Sequence, residues 1–310
     1  MQSSRDKKIF KMIFGLGNTD TEAIKRLCAV YAKAGADVFD VSPDPAALTA
    51  FGEGIEKSGI SRSDVKCCVS FSLADDVHGS KARIDAQKCQ KCGRCKSVCT
   101  NDAISENFEI IAEKCIGCRK CAFCDAISYS KPRTDVCKTL KNLTKTFKID
   151  AVELHVNGAK TSEIVDTARK IKKLFPEITV GICLTRGIVS DKESLDVVKA
   201  ATDAVFPQQL YVQADGIPMS GGKNDYASNL QSLAFAQILK DTGAKIIVSG
   251  GCNAKTLEFA ELSGVDIDGF AAGSFARNLI KNFLKTEDFW YNKNGYDSAV
   301  KEVMRVFERE

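Results

Sequence analysis

The chain has 310 residues, which allows one large α/β barrel or two ordinary domains. Its composition is globular, with 44% hydrophobic and 27% charged residues, and the net charge of +4 is spread without a basic tail or patch, which sets nucleic acid aside as a partner. No apolar run approaches the ~18–20 residues that span a bilayer, so no membrane span is expected.

The opening MQSSRDKKIFKMIFGLGN places lysines before an apolar stretch, as a signal peptide does. Lys11 interrupts that stretch and no small-residue cleavage site follows, so a buried first strand is the better reading and the expected compartment is the cytoplasm. There are 14 cysteines. At this length, with tight spacings and no signal, they point to metal or cluster ligation and not to disulfides.

Along the chain, short β-branched or aromatic runs alternate with helical stretches. Strands are predicted at 10–16, 37–41 and 65–73, the first two followed by the helical segments 19–35 and 43–59. A cysteine-rich segment comes next, and then a helix within 134–147. Strands at 151–156, 178–184, 210–213, 245–249 and 268–272 follow, each with a helix behind it, and a last helix near 298–308 has no strand of its own. Eight strand–helix units are the number that closes a parallel (β/α)8 TIM-type barrel. An open doubly wound sheet is the alternative, but GLGNTD after the first strand lacks the third glycine of a dinucleotide fingerprint. The expected domains are a barrel formed by 1–80 and 132–310 and an insertion at 81–131.

Side chains of a strand alternate between its faces. In the fourth strand Val152, Leu154 and Val156 share the apolar face, which should meet the helices. Glu153, His155 and Asn157 share the other, which should point into the bore. Asp40 and Ser42, Ser70 and Ser72, Gly181, Cys183 and Thr185, and Gln213 and Asp215 repeat this pattern. A bore this polar near the strand ends suggests a ligand site, since a structural bore is usually filled with branched apolar residues. The alternative is that these groups satisfy one another or bind water.

The cysteine segment holds two groups: Cys89, Cys92, Cys95 and Cys99, then Cys115, Cys118, Cys121 and Cys124. The first three of each group are related by a shift of 26 residues, Cys89 to Cys115, and NDAIS after the first group echoes CDAIS in the second. This is an internal duplication, each half a cysteine loop with a short helix expected after it. Three thiolates two residues apart wrap three corners of a cubane, and the distant cysteine of the other repeat takes the fourth. One [4Fe-4S] cluster is therefore expected on Cys89, Cys92, Cys95 and Cys124, and a second on Cys115, Cys118, Cys121 and Cys99. Zinc would want paired C-x2-C motifs instead. The segment resembles bacterial two-cluster ferredoxin domains, with Thr100 and Asp125 where that pattern has proline and with the last gap of the second group one residue short.

In the C-terminal third, Gly250 and Gly251 follow the seventh strand, and Gly273 and Ser274 follow the eighth at the start of a helix. Barrels often build a phosphate site from these two loops. The stretch resembles the phosphate grip of FMN-binding barrels, and ELHVNG resembles a strand of dihydroorotate-dehydrogenase-like flavoproteins, with His155 in place of an asparagine. Small residues that let helices pack close are the plainer explanation. Asp215 and Ser220 of the glycine-rich loop YVQADGIPMSGG could reach a ligand. Cys252 would face the mouth and His155 could donate a proton, which makes both candidate catalytic groups; Arg186 could hold an anion.

Three stretches, FKMIFGLGNTD with ADVFDVSPDPAAL, the cysteine insertion, and QADGIPMSGG with IIVSGGCN, together resemble the light-dependent-period LdpA-type iron–sulfur proteins over nearly the full chain. The resemblance implies two iron–sulfur centres and a role in reporting cellular redox state, in cyanobacteria to the circadian clock. The expected function is electron transfer between two [4Fe-4S] clusters and a small ligand, flavin or phosphate-bearing, at the barrel mouth. A redox sensor with a signalling partner and a plain electron carrier are the alternatives.

Overall fold

Eight parallel strands close on themselves in a computed structural model that describes residues 8–73, 80–130, 134–205, 210–217 and 225–307. They are β1 (Ile9–Ile13), β2 (Val38–Val41), β3 (Lys66–Ser72), β6 (Ala151–His155), β7 (Thr179–Thr185), β8 (Leu210–Asp215), β9 (Lys245–Ser249) and β10 (Gly269–Ala272). The order around the barrel is β1-β10-β9-β8-β7-β6-β3-β2, and the pairing of β1 with both β2 and β10 excludes the open sheet. Between β3 and β6 the chain leaves the barrel. Two short strands there, β4 (Lys81–Ile84) and β5 (Ile127–Ser130), pair antiparallel with Lys81 opposite Ser130.

The crossover helices begin where the chain supplies caps. The Asp20 side chain accepts from Ala23 N ahead of α1 (Thr21–Lys33), and Asp44 accepts from Ala46 N and Ala47 N ahead of α2 (Pro45–Ser58), with proline in the first turn. The chain between Arg94 and Ser97 makes a single turn, α3, inside the first cysteine group. Beyond the insertion come α4 (Val136–Leu143), α5 (Thr161–Leu174), α6 (Asp191–Val205), α7 (Asp225–Leu239) and α8 (Thr256–Leu262). After β10 the one helix expected over 274–284 is two, α9 (Ser274–Leu279) and α10 (Lys281–Leu284), because Ile280 between them leaves helical geometry at φ −110°, ψ 10°. The short helices expected after the cysteine loops do not form. Ile104 of NDAIS instead bridges Ile110, and the matching residues of the second repeat run into β5.

Alternation divides each strand as its residues require. Phe10, Met12, Val152, Leu154, Val180, Ile182 and Val212 are fully buried between sheet and helices. Phe10 stacks on Phe270, with ring centroids 4.8 Å apart, and lies 4.7 Å from Phe307 of α11 (Tyr296–Phe307). The helix without a strand thus covers the seam where β10 meets β1. On the inner face an apolar layer, including Ile9, Val38, Ala151 and Ile247, fills one part of the bore. Gly181 makes room there for Tyr211, whose ring occupies the space a side chain at 181 would take. The polar residues lie toward the C-terminal ends of the strands, the face on which barrels carry their sites.

Candidate functional site

The bore is organised around Lys11, which is fully buried. Its Nζ lies 2.5 Å from Glu153 Oε2, 2.9 Å from Gln213 Oε1 and 3.4 Å from Asp40 Oδ2. Burial alone would lower the pKa of this ammonium, but Asp40 and Glu153 more than offset it and hold it above its ordinary value. Burial pushes Asp40 up, against the pull of Lys11, and Ser70 donates to its Oδ1. Tyr211 donates its hydroxyl to Glu153 Oε2 at 3.0 Å. The second oxygen of Glu153, Oε1, has no hydrogen-bond partner among the described residues and faces His155 Nε2 at 3.5 Å. Cys183 Sγ donates to Asp215 Oδ2 at 3.3 Å.

Above this network the barrel mouth opens into a small cleft of ≈ 90 Å³. His155, Gln213, Asp215 and Cys252 line it, and so do Gly250, Gly251, Gly273 and Ser274. These eight sequence-predicted residues therefore share one pocket. Glu153 lies beneath it. Asn157 does not line it: its amide donates to Thr185 Oγ1 at 3.0 Å and its Oδ1 accepts from Thr185 N at 3.2 Å, tying the ends of β6 and β7. Arg186 also points elsewhere, toward Asp191 of α6 at 3.3 Å. The 216–222 loop leaves the described residues after Ile217, so Ser220 lies outside them. Gly250 has φ +72°, and a Cβ on it would come within 2.5 Å of the Gly216 carbonyl oxygen, so close approach of two loops requires glycine there whether or not an anion binds. Burial raises the Cys252 thiol to about 12, and it donates to Val248 O, the behaviour of a packed thiol and not of a nucleophile.

Other pocket residues were not anticipated, among them Ile13, Arg277 and Ile116. Ile13 ends β1. Arg277 sits one turn after Ser274, donating to Ile13 O at 2.7 Å and to Ser274 Oγ at 3.3 Å. Ile116 comes from the insertion. Lys11 and Tyr211 below were missed as well, although alternation places Lys11 on the same face as Ile9 and Ile13.

Ile116 reaches the mouth because the insertion is docked on the barrel. Lys81 donates to Gly17 O and Ala112 O, and Thr19 N to Glu113 O at 2.9 Å. A Cβ on Gly17 would come within 3.0 Å of Cys115 O, so the β1–α1 loop lies directly against the second cysteine loop. Lys281 of α10 donates to Thr100 O at 3.1 Å and pairs with Asp102 at 3.0 Å. Within the insertion one cavity is lined by Cys99, Cys115, Cys118 and Cys121, and another by Cys89, Cys92, Cys95 and Cys124. Each gathers three cysteines of one repeat and one of the other. Four thiols around a single cavity fit the donor set of an iron–sulfur cluster. The first cavity has mostly apolar walls and shares Ile116 with the barrel pocket, while Cys92 and Cys124 of the second are exposed.

The profile of the Light dependent period A C-terminal domain matches residues 143–305, more than half of the chain. The chain belongs to the Light dependent period A family. A 4Fe-4S binding-domain profile matches residues 82–105, which places an iron–sulfur motif in this member of the family and includes the first cysteine group. A Light dependent period A protein of Synechococcus elongatus is 26% identical over a 277-position alignment that covers 85% of this chain and 77% of that one. Among solved structures, the YdjI aldolase of Escherichia coli K12 aligns over 97% of this chain and 89% of its own, at 9% identity and a TM-score of 0.50. Tryptophan synthase from M. tuberculosis aligns over 99% and 95%, at 9% identity and a TM-score of 0.47. The likeness to the aldolase shows the barrel fold alone. No helix among the described residues is long and apolar enough to cross a membrane.

Proposed function

We propose that this iron–sulfur protein carries two [4Fe-4S] clusters and exchanges electrons with a small phosphate-bearing ligand, of which FMN is the leading candidate, held in the barrel mouth. One observation carries the reading: Ile116, between Cys115 and Cys118, lines the same pocket as His155, Gln213 and Asp215. The set Cys99, Cys115, Cys118 and Cys121 would hold the cluster nearer the pocket, and Cys89, Cys92, Cys95 and Cys124 the outer one. When bound, such clusters supply one-electron transfer at a tunable potential. The chain's own residues do the rest. Arg277 presents a guanidinium held by Ile13 O and Ser274 Oγ, which offers charge for an anionic group. Gln213 and Asp215 offer polar contacts, and His155 is placed to give or take a proton. The wall that Cys115 and Ile116 share with the cluster cavity is mostly apolar.

The test is the absorption spectrum of anaerobically purified protein, followed by that of the supernatant after denaturation. Iron–sulfur absorption accompanied by released flavin supports the oxidoreductase reading. Clusters without flavin or another phosphate-bearing ligand would sink it and bring forward a second reading, favoured by the name of the Synechococcus elongatus relative, Light dependent period A. In that reading the chain is a redox sensor, cytoplasmic, whose insertion alters the binding of a protein partner when its clusters are oxidised or lost.

A further inference from the structure

We propose that the floor of the barrel pocket is a mononuclear divalent-metal site, held by Glu153, His155 and Cys183, that takes zinc. The proposal is independent of the cluster cysteines and of any flavin. The three side chains are buried, and one donor atom from each lies within 4.8 Å of the others. Their placement follows from the strands. His155 of β6 is the register partner of Cys183 of β7, and Glu153 precedes His155 by two residues, on the same inward face. A carboxylate, an imidazole and a thiol make a mixed oxygen, nitrogen and sulfur set, the chemistry of a borderline cation such as zinc.

The hydrogen bonding of Glu153 is lopsided. Lys11 and Tyr211 both bind Oε2, at 2.5 Å and 3.0 Å, which fixes the plane of the carboxylate. Oε1, fully buried, is left facing His155 Nε2 at 3.5 Å with no hydrogen-bond partner among the described residues. A buried polar atom without a partner is destabilising, and a charged one more so. Supported ligands of this kind, with the far oxygen held and the near one open, are how metal sites orient a carboxylate.

Access is also present. His155 and Asp215 line the pocket, so an ion can enter from the mouth, and Asp215 Oδ2, 3.3 Å from Cys183 Sγ, is within reach as a further ligand. Binding converts the Cys183 thiol to a thiolate and releases one proton to solvent. An ion here would turn its remaining position toward the pocket and recognise an anionic oxygen, carboxylate or phosphoryl, of whatever ligand enters.

Crystals of the cluster-loaded full chain, soaked in zinc chloride, test this. Anomalous maps recorded just above and just below the zinc edge cancel the iron signal and leave zinc. The expected result is one peak ~2.0–2.3 Å from Glu153, His155 and Cys183. Removing Glu153 would strand Lys11, so the variants are His155→Ala and Cys183→Ala. Each should lose the peak, and in solution each should weaken zinc binding at least ~100-fold while the iron per chain is unchanged. No peak at this place under saturating zinc overturns the proposal, and so does a peak that both variants retain.

Discussion

Replacing Lys11 with methionine isolates the interaction on which the bore depends. At an effective dielectric of ~20, attraction across 2.5 Å to Glu153 and across 3.4 Å to Asp40 amounts to about 7 and about 5 kcal/mol before desolvation is counted. Burying the ammonium cancels much of that. The substitution, however, does more than remove a pair. It leaves two buried carboxylates facing each other without a counter-charge, for which a loss of ~3–5 kcal/mol is expected. In a chain of 310 residues that lowers the midpoint of thermal unfolding by roughly 5–8 °C. Calorimetry at a fixed scan rate, on samples matched for iron content, reads it directly. Lys11→Met combined with Glu153→Gln should recover part of the loss, because an amide in place of the carboxylate removes one of the stranded charges. A Lys11→Met midpoint within about 2 °C of the parent, or two substitutions whose effects simply add, would refute the reasoning.

Other outcomes follow from the same structure. Cys124→Ser should lower iron from about eight to about four atoms per chain and spare the set built on Cys99, whereas Cys99→Ser should spare the set built on Cys124; loss of all iron in either variant contradicts the crossed sharing. Stability should fall as pH rises above 9, because burial raises the Cys67 and Cys252 thiols from the ordinary 9.0 to about 12. Folded-state values above the unfolded ones mean that the native chain holds protons the unfolded chain gives up, so stability is intact below 9 and by pH 10.5 is reduced by roughly 2 kcal/mol per thiol; a flat unfolding profile from pH 8 to 10.5 would be the contrary result. In a titration with FMN, Arg277→Gln should weaken binding at least ~10-fold through loss of a charge-assisted contact, while Arg186→Ala, whose guanidinium faces Asp191, should leave the affinity unchanged.

The strands were legible because their alternation is simple. At 151–157 every second residue is apolar, and the structure turns that face outward. The same rule covered Lys11, but its neighbours Ile9, Phe10, Met12 and Ile13 make a nearly continuous apolar run. In such a run a lysine reads as an interruption and not as the centre of a network that includes Asp40, Glu153 and Gln213 from three other strands. The cysteine spacing announced the donor groups, since the geometry of a cluster is local. It did not announce β4 and β5, each four residues long and paired with a segment more than forty positions away. Nor did it announce that Ile104 would bridge Ile110 in place of a short helix. Arg186 and Arg277 look alike in sequence. Which one reaches the pocket depends on loop paths that carry no periodic signal, and Asn157, sharing a strand face with His155, is diverted by Thr185.

The antiparallel pairing of β4 with β5 has a consequence for the history of such a chain. The two ends of the excursion are zipped together at its base, with Lys81 beside Ser130 and Ile84 beside Ile127. The cost of closing the long loop therefore falls on its own ladder, and the barrel strands on either side, β3 and β6, remain direct neighbours. A segment built in this way can be gained, lost or exchanged as a cassette without disturbing the register of the host. An ancestral barrel with a plain turn at this point would need no rearrangement to acquire its cysteines, and a shortened chain joining β3 to α4 should still close.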